Sequence, residues 1–148
     1  MELGLTGKVA LVTGSYRGTG EIIAKRLAEE GATVIAHGFE PGSADHVLAE
    51  TAVKFAVWGD LCTEKGCAQI AEQALAAAGH IDILVNNYGT AVEKRWADAD
   101  SDDWLDMYQK NVLSAARMIR LLTPQMRELS SGRIIQLGTV GSTQPNHL

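Results

Sequence analysis

Five short apolar runs, separated by stretches with helical periodicity, constrain the fold of this chain more than any other feature of its sequence. The runs occupy residues 8–12, 33–36, 53–57, 81–85 and 133–137. They are too short for helices and rich in valine and isoleucine, which is typical of strands buried on both faces of a sheet. We therefore predict five interior strands.

Helical patterns fill the spaces between the runs, at residues 20–30, 43–50, 63–78 and 101–128. Thr63 is a candidate N-cap, and Ser101 precedes two acidic residues that favour a helix start. Strands joined through helices pair in parallel with right-handed crossovers. The sequence thus predicts an α/β fold, a Rossmann-like doubly wound parallel sheet in three layers (α/β/α), with strand order 3-2-1-4-5 and one domain over residues 1–148.

Composition excludes several classes of protein. Lysine and arginine number 13 against 18 acidic residues, for a net charge of −5, so we expect no nucleic-acid partner. The chain has neither a membrane-spanning apolar run nor the basic start of a signal peptide, which predicts no membrane partner and a cytoplasmic location. Cys62 and Cys67 lack further cysteine or histidine ligands at metal-site spacing, so we expect two reduced thiols and no metal.

A glycine-rich segment, Thr-Gly-Ser-Tyr-Arg-Gly-Thr-Gly at residues 13–20, lies between the first predicted strand and the first predicted helix. Glycines allow a sharp turn and a close approach of the backbone to a ligand. Free N–H groups and the helix dipole favour an anion at such a junction. Gly14, Gly18 and Gly20 therefore predict a phosphate-binding loop, although plain turn chemistry would also place glycines there.

Other motifs accompany this loop in chain order. They are Asp60-Leu61, Asn86-Asn87-Tyr88-Gly89, Asn111 within the long helix, and the strand segment 132–139. Together with the loop they resemble the short-chain dehydrogenase/reductase family, of the classical type that includes 3-oxoacyl-carrier-protein reductases. The resemblance covers the whole chain and implies a nicotinamide cofactor and an oxidoreductase.

The resemblance assigns cofactor contacts to the carboxyl ends of the strands. Asp60 would meet the adenine edge, Leu61 would offer a backbone contact, and Asn87 would line the cleft and stabilise the sheet. The full implied cofactor-binding set is Gly14, Ser15, Tyr16, Arg17, Gly18, Thr19, Gly20, His37, Gly38, Phe39, Asp60, Leu61, Asn87, Tyr88 and Gly89.

The charges near the second strand favour NADP over NAD. A guanidinium such as Arg17 can pair with the 2′-phosphate. NAD-specific folds usually hold the ribose hydroxyls with an acidic residue at the end of the second strand, and Glu40 comes about two positions too late for that role. His37 would add a partly positive donor.

Several of these residues have a second interpretation. His37 would otherwise be a neutral loop histidine, and the other interpretation of Asp60 is a cap of the following helix. Ser15 and Tyr16 would equally be exposed turn residues. Tyr88 stands where relatives usually have alanine, and its ring either narrows the cleft or points away from it.

Catalytic expectations follow from the resemblance. Asn111 would hold a water in a proton relay, and Thr139 would stand where relatives have the active-site serine, with Ser142 as the second candidate. The family's Tyr-x-x-x-Lys motif is not found after Tyr16, Tyr88 or Tyr108. We therefore expect the amino-terminal portion of a reductase, truncated before the catalytic Tyr-x-x-x-Lys helix and inactive by itself.

The function expected is hydride transfer between NADP and a small carbonyl or alcohol substrate. The alternative is a non-catalytic dinucleotide-binding module or truncated gene product. The helical stretch 101–128 is apolar over more than one face, which predicts a homodimer or homotetramer. On this expectation Trp104, Leu105 and Tyr108 belong to the face that covers the sheet, whereas Leu113 and Met118 belong to the outer face.

Overall fold

A computed structural model describes residues 3–140 and contains one parallel sheet of five strands in the order β3-β2-β1-β4-β5. The strands are β1 (Val9–Val12), β2 (Thr33–Gly38), β3 (Phe55–Trp58), β4 (Ile83–Asn86) and β5 (Arg133–Gln136). Val9 pairs with Thr33 in the β1–β2 ladder, and Ala10 pairs with Ile83 in the β1–β4 ladder. The predicted order 3-2-1-4-5 is confirmed.

Helices connect each strand to the next. They are α1 (Gly18–Glu29), α2 (Asp45–Glu50), α3 (Glu64–Ala78), α4 (Ser101–Tyr108) and α5 (Ser114–Glu128), with a short 3-10 turn at Trp96–Asp98. Thr63 caps α3 through its Oγ1, which accepts the Gly66 N–H at 2.9 Å. Asp100 caps α4 in a capping box with Asp103. Both caps satisfy amide groups that the first helical turn leaves unpaired.

Alternate residues of the central strand face two separate cores. Val9 and Leu11 of β1 pack with residues of α3 and α5, whereas Ala10 and Val12 pack with residues of α1 and α2. All four side chains are buried, as expected for a strand covered on both faces. The fold is therefore the predicted three-layer α/β/α arrangement. Within residues 3–140, no helix has the length and apolar character to cross a membrane.

The helical stretch 101–128 differs from the sequence expectation. A π turn at Gln109–Leu113 separates α4 from α5. Met118, expected on the outer face, is fully buried, whereas Trp104 and Leu105, expected against the sheet, are more than half exposed. A π turn accommodates one extra residue, which rotates the apolar stripe of α4 relative to that of α5. The assumption of one continuous helical period was therefore wrong.

Candidate cofactor site

An open cavity of about 610 Å³ lies at the carboxyl ends of the central strands, between the β1–α1 loop and the loop after β4. This is the edge at which doubly wound sheets bind ligands. Its lining residues are Gly14, Tyr16, Arg17, Gly18, Thr19, Gly20, Phe39, Asn87, Tyr88, Gly89, Thr90 and Lys110.

Two glycines of the loop are required for different physical reasons. Gly14 has φ +63°, and a Cβ there would lie 3.2 Å from both the Cα and the Cβ of Tyr88. Gly20 is in the first turn of α1, where a Cβ would overlap Asn87 Nδ2 and the Gly14 carbonyl oxygen. The glycines thus bring the loop, the helix and the residues after β4 into direct contact.

Side chains at the ends of β1 and β4 hold the two sides of the cavity together. Asn87 Nδ2 donates to the Thr13 carbonyl at 2.9 Å and to the Gly14 carbonyl at 3.2 Å. Thr13 Oγ1 accepts the N–H groups of Asn87 and Tyr88, each at 3.1 Å. Asn87 and Thr13 thus join the loop after β4 to the glycine loop, and Thr13 was not among the residues predicted from the sequence.

Ser15 is fully buried behind the loop and does not line the cavity. Its hydroxyl donates to the Val12 carbonyl at 2.7 Å and accepts the His37 N–H at 2.9 Å. Its own N–H donates to the His37 carbonyl at 3.0 Å. These polar groups hold the loop on β2, so Ser15 is neither the exposed turn residue nor the side-chain ligand contact considered from the sequence.

His37 is also fully buried, and the expectation of a partly positive cofactor donor is wrong. Burial lowers the pKa of His37 to about 4, so its ring is neutral near pH 7. The ring contacts backbone groups of two neighbouring loops and does not line the cavity. The second interpretation, a neutral histidine, agrees with this geometry.

Arg17 and Thr19 are exposed at the rim of the cavity, and Tyr16 is half-buried beside them. The Arg17 guanidinium carbon lies 5.0 Å from the centre of the Tyr16 ring, a cation–π distance. Within residues 3–140 Arg17 makes no ion pair with a carboxylate. Its charge is thus available to an anion that enters the cavity.

Aromatic rings form the wall of the cavity beyond the end of β2. The Phe39 ring lies 6.1 Å from Tyr16 and 5.0 Å from Tyr88, measured between ring centres. The Tyr88 hydroxyl reaches Cys62 Sγ at 3.8 Å, and burial raises the pKa of Tyr88. The Tyr88 side chain therefore lies along the wall of the cavity and reaches from the end of β4 to the loop after β3.

Three further residues of the implied cofactor set do not line the cavity. Asp60 is exposed, and its Oδ1 accepts the Cys62 N–H at 2.8 Å. Leu61 is a core residue, and Gly38 is buried where a Cβ would overlap Ser43 Oγ. The cap of α3 is Thr63, so Asp60 does not have the capping role. Contacts from these residues to a cofactor remain predictions.

Asn111 connects the π turn to the loop after β4. Its Oδ1 accepts the Thr90 N–H, and its Nδ2 donates to the carbonyls of Thr90 and Met107, each at 2.9 Å. Gly89 lies against the same amide, since a Cβ there would be 2.7 Å from Asn111 Oδ1. The structure thus gives Asn111 a positioning role for this loop, and the water relay remains a prediction.

Two residues that line the cavity were missed, and one predicted site is only partly described. Lys110 and Thr90 line the cavity, and Lys110 Nζ contacts Asp106 Oδ2 at 2.7 Å. The signal available was a lysine directly before Asn111. Thr139 is exposed in the segment after β5, and Ser142 lies outside the described residues.

The fold is that of a Rossmann-fold protein, with a cavity at the topological switch point of its sheet. The sequence profile of the family described as short chain dehydrogenase matches residues 8–148. The chain therefore belongs to the short-chain dehydrogenase/reductase family, as the sequence motifs suggested.

Individual relatives agree with this assignment. The uncharacterized oxidoreductase YvaG of Bacillus subtilis (strain 168) is 36% identical over 152 residues, which cover 99% of this chain and 56% of YvaG. The chain thus spans about half the length of the curated relatives it matches.

Similar solved structures include two that carry ligands. One is a 7 alpha-hydroxysteroid dehydrogenase complexed with NADH and 7-oxo glycochenodeoxycholic acid, with TM-score 0.90 and 31% identity, covering 96% of this chain and 57% of that one. The other is L-sorbose reductase from Gluconobacter frateurii complexed with NADPH and L-sorbose, with TM-score 0.90 and 32% identity, covering 99% and 57%.

Proposed function

We propose that this chain binds NADP(H) and forms the cofactor-binding portion of a short-chain dehydrogenase acting on a small carbonyl or alcohol substrate. The observation that carries the proposal is the cavity of about 610 Å³ with the glycine loop on one side and the residues after β4 on the other. The loop fits a phosphate group because a Cβ at Gly18 would meet no atom within 4 Å, so the backbone there is accessible from the cavity.

The choice of NADP over NAD rests on charge. Arg17 is exposed at the rim and free of any carboxylate within residues 3–140, so it can pair with a 2′-phosphate. β2 ends at Gly38, and the nearest following carboxylate, Glu40, does not line the cavity. Relatives with NADH and with NADPH are both known, so the family alone does not decide between the two cofactors.

A dinucleotide held by these residues would donate a hydride to a carbonyl carbon in its reduced form, or accept one from an alcohol carbon in its oxidised form. In this proposal Asn111 fixes the loop at Thr90, and Thr139 donates a hydrogen bond to the substrate oxygen. The acid/base tyrosine and its lysine belong to a Tyr-x-x-x-Lys motif that the 148 residues do not include. The alternative function is dinucleotide binding without catalysis. An assay of ketone reduction by the protein that contains this chain distinguishes the two functions, because only a dehydrogenase would show turnover.

We further propose that the parent protein is a homodimer or homotetramer. Several exposed large apolar side chains lie on α4 and its flanks, and exposed apolar patches usually mark an interface. These side chains are Trp96, Trp104, Leu105, Tyr108 and Val112. Trp96 and Trp104 are in ring contact, with their centres 5.6 Å apart.

Cofactor titration tests the proposed function. NADPH and NADH are added separately to the purified chain and to the variants Arg17→Ala and Lys25→Ala, with nucleotide fluorescence as the signal. Lys25 is an exposed cation of α1 outside the cavity, so it controls for loss of one charge. A charge-assisted hydrogen bond is worth about 1.5–3 kcal/mol, so Arg17→Ala should weaken NADPH binding about 10- to 100-fold.

NADH binding should change little in Arg17→Ala, and Lys25→Ala should leave both affinities near the wild-type values. Equal losses for NADPH and NADH in Arg17→Ala would contradict the assignment of Arg17 to the 2′-phosphate. Absence of binding for both nucleotides to the wild-type chain would contradict the proposed function itself.

A further inference from the structure

The buried ring of His37 joins two loops at the carboxyl edge of the sheet. Its Nδ1 lies 3.0 Å from the Gly14 nitrogen, and its Nε2 lies 3.0 Å from the Gly59 carbonyl oxygen. A backbone N–H can only donate, so Nδ1 must accept with its lone pair. Nε2 then carries the proton and donates to Gly59. The hydrogen-bond partners therefore assign a single neutral tautomer to the ring.

The backbone of His37 also forms hydrogen bonds with the glycine loop. The His37 N–H donates to Ser15 Oγ at 2.9 Å, and the His37 carbonyl accepts the Ser15 N–H at 3.0 Å. Ring and backbone together therefore fix two consecutive residues of the glycine loop, Gly14 and Ser15, on β2. Through Gly59 the ring also ties this point to the end of β3.

We propose that His37 is a positioning residue for the phosphate loop: its ring sets the orientation of the Gly14 peptide and thereby the affinity of the cavity for a dinucleotide phosphate. The ring itself does not line the cavity, so it acts through Gly14. This inference rests on the proposed function in one respect only, the identity of the anion.

Only the neutral ring can perform this role. A protonated imidazole has two N–H donors, so the Gly14 N–H would then face another donor and lose its partner. The groups around the ring are the Gly14 N–H, the Gly59 carbonyl, the Phe39 ring 5.3 Å away just after β2, and the Asp60 carboxylate beyond β3. Burial lowers the pKa of His37 to about 4 and outweighs the Gly59 hydrogen bond and the Asp60 charge, which both favour protonation.

Substitution of His37 tests the inference through cofactor affinity. His37→Phe keeps a planar ring and removes both ring hydrogen bonds, whereas His37→Gln keeps one acceptor and one donor. Val47→Ala is the matched control, because Val47 is fully buried in the opposite core, under α2, and does not line the cavity. Dissociation constants for NADPH are measured at a temperature where urea denaturation shows every variant to be folded.

His37→Phe should bind NADPH about ten-fold more weakly than wild type, the effect of about one to two neutral hydrogen bonds. His37→Gln should recover part of the loss, and Val47→Ala should bind like wild type although it is less stable. A purely structural role for His37 predicts that affinity follows stability in all variants. Wild-type affinity in His37→Phe, or an equal loss in Val47→Ala, would overturn the inference.

A second measurement needs no cofactor. In ¹⁵N spectra of the wild-type chain at pH 7, the His37 ring should show the neutral tautomer with its proton on Nε2. The Gly14 amide should exchange with solvent faster in His37→Phe or His37→Gln than in wild type, whereas amides of α5 should not change. A cationic ring, or a proton on Nδ1, would overturn the inference and leave the proposed function standing.

If the wild-type chain binds neither NADPH nor NADH, the proposed function fails, and inorganic pyrophosphate then serves as the probe of the loop. Weaker pyrophosphate binding in His37→Phe than in Val47→Ala would still support the positioning role. Equal pyrophosphate binding in the two variants would reject it.

Discussion

Replacing Gly20 by alanine is expected to destabilise the fold, because the added Cβ would clash sterically with neighbouring atoms. The new Cβ would overlap Asn87 Nδ2 and the Gly14 carbonyl oxygen, and it would lie 2.9 Å from Ser15 Cα. Two of these three neighbours are backbone atoms of the loop, so the strain cannot be relieved by a change of rotamer alone. The Asn87 amide must also move away from the two carbonyl groups that it contacts.

The magnitude follows from three effects. Overpacking costs about 1–3 kcal/mol. Each of the two Asn87 hydrogen bonds contributes about 0.5–1.5 kcal/mol. Alanine gains about 1 kcal/mol over glycine within a helix, which offsets part of the loss. The net loss is about 1–5 kcal/mol, a large fraction of the roughly 5–15 kcal/mol that stabilises a typical domain.

Gly18 provides the comparison. It belongs to the same glycine motif, but its backbone conformation and not its close neighbours favours glycine. Its φ is +60°, and a Cβ there meets no atom within 4 Å. Gly18→Ala should therefore cost only the left-handed backbone strain of about 1–2 kcal/mol. Gly18→Asn should cost less, since asparagine tolerates this conformation.

The assay is urea denaturation at 25 °C, followed by tryptophan fluorescence and far-UV circular dichroism for each variant. The order expected for the loss in free energy of unfolding is Gly20→Ala, then Gly18→Ala, then Gly18→Asn. A Gly20→Ala variant that stays within about 0.5 kcal/mol of wild type, the size of an ordinary surface substitution, would refute the close packing of loop, helix and Asn87.

Three other predictions concern pH, association and activity. Burial raises the pKa of Cys67 from its ordinary value near 9 to about 11. The unfolded thiol therefore ionises first, stability should fall as pH rises through this interval, and Cys67→Ala should lack that part of the pH dependence. Leu105→Lys should shift sedimentation towards smaller species, whereas Met118→Lys should lower the urea midpoint, because only Leu105 is exposed. The purified chain should show negligible NADPH oxidation with a ketone, since general acid catalysis typically contributes about 10²–10⁴-fold; robust turnover would place the catalytic group within the 148 residues.

The strands could be predicted because a strand that is buried on both faces has a nearly continuous run of apolar residues in the sequence. Each predicted run overlaps its strand, and the ends differ by at most two residues. Helices recognised between the strands then indicate parallel pairing with right-handed crossovers, and the doubly wound class has the order 3-2-1-4-5. These are properties of local composition and chain connectivity, which a single sequence contains.

Which side chains of the helical stretch 101–128 face the core could not be predicted in the same way. The π turn at Gln109–Leu113 is stabilised by contacts distant in sequence, including the Asn111 hydrogen bonds to Thr90. The role of His37 was missed for a related reason. Its partners Gly14 and Gly59 lie 23 and 22 residues away, so its protonation state depends on the folded arrangement.

The parallel pairing of β1 has a consequence for folding kinetics. In the β1–β2 ladder Val9 meets Thr33, about 24 residues later, whereas in the β1–β4 ladder Ala10 meets Ile83, about 73 residues later. Loop-closure entropy makes the second pairing about 1 kcal/mol less favourable to initiate than the first. We therefore expect the nucleus to form around β1, α1 and β2, with β4 joining late. Because the glycine loop is finished only when Asn87 and Tyr88 reach Thr13, the ligand cavity forms at the end of the folding reaction.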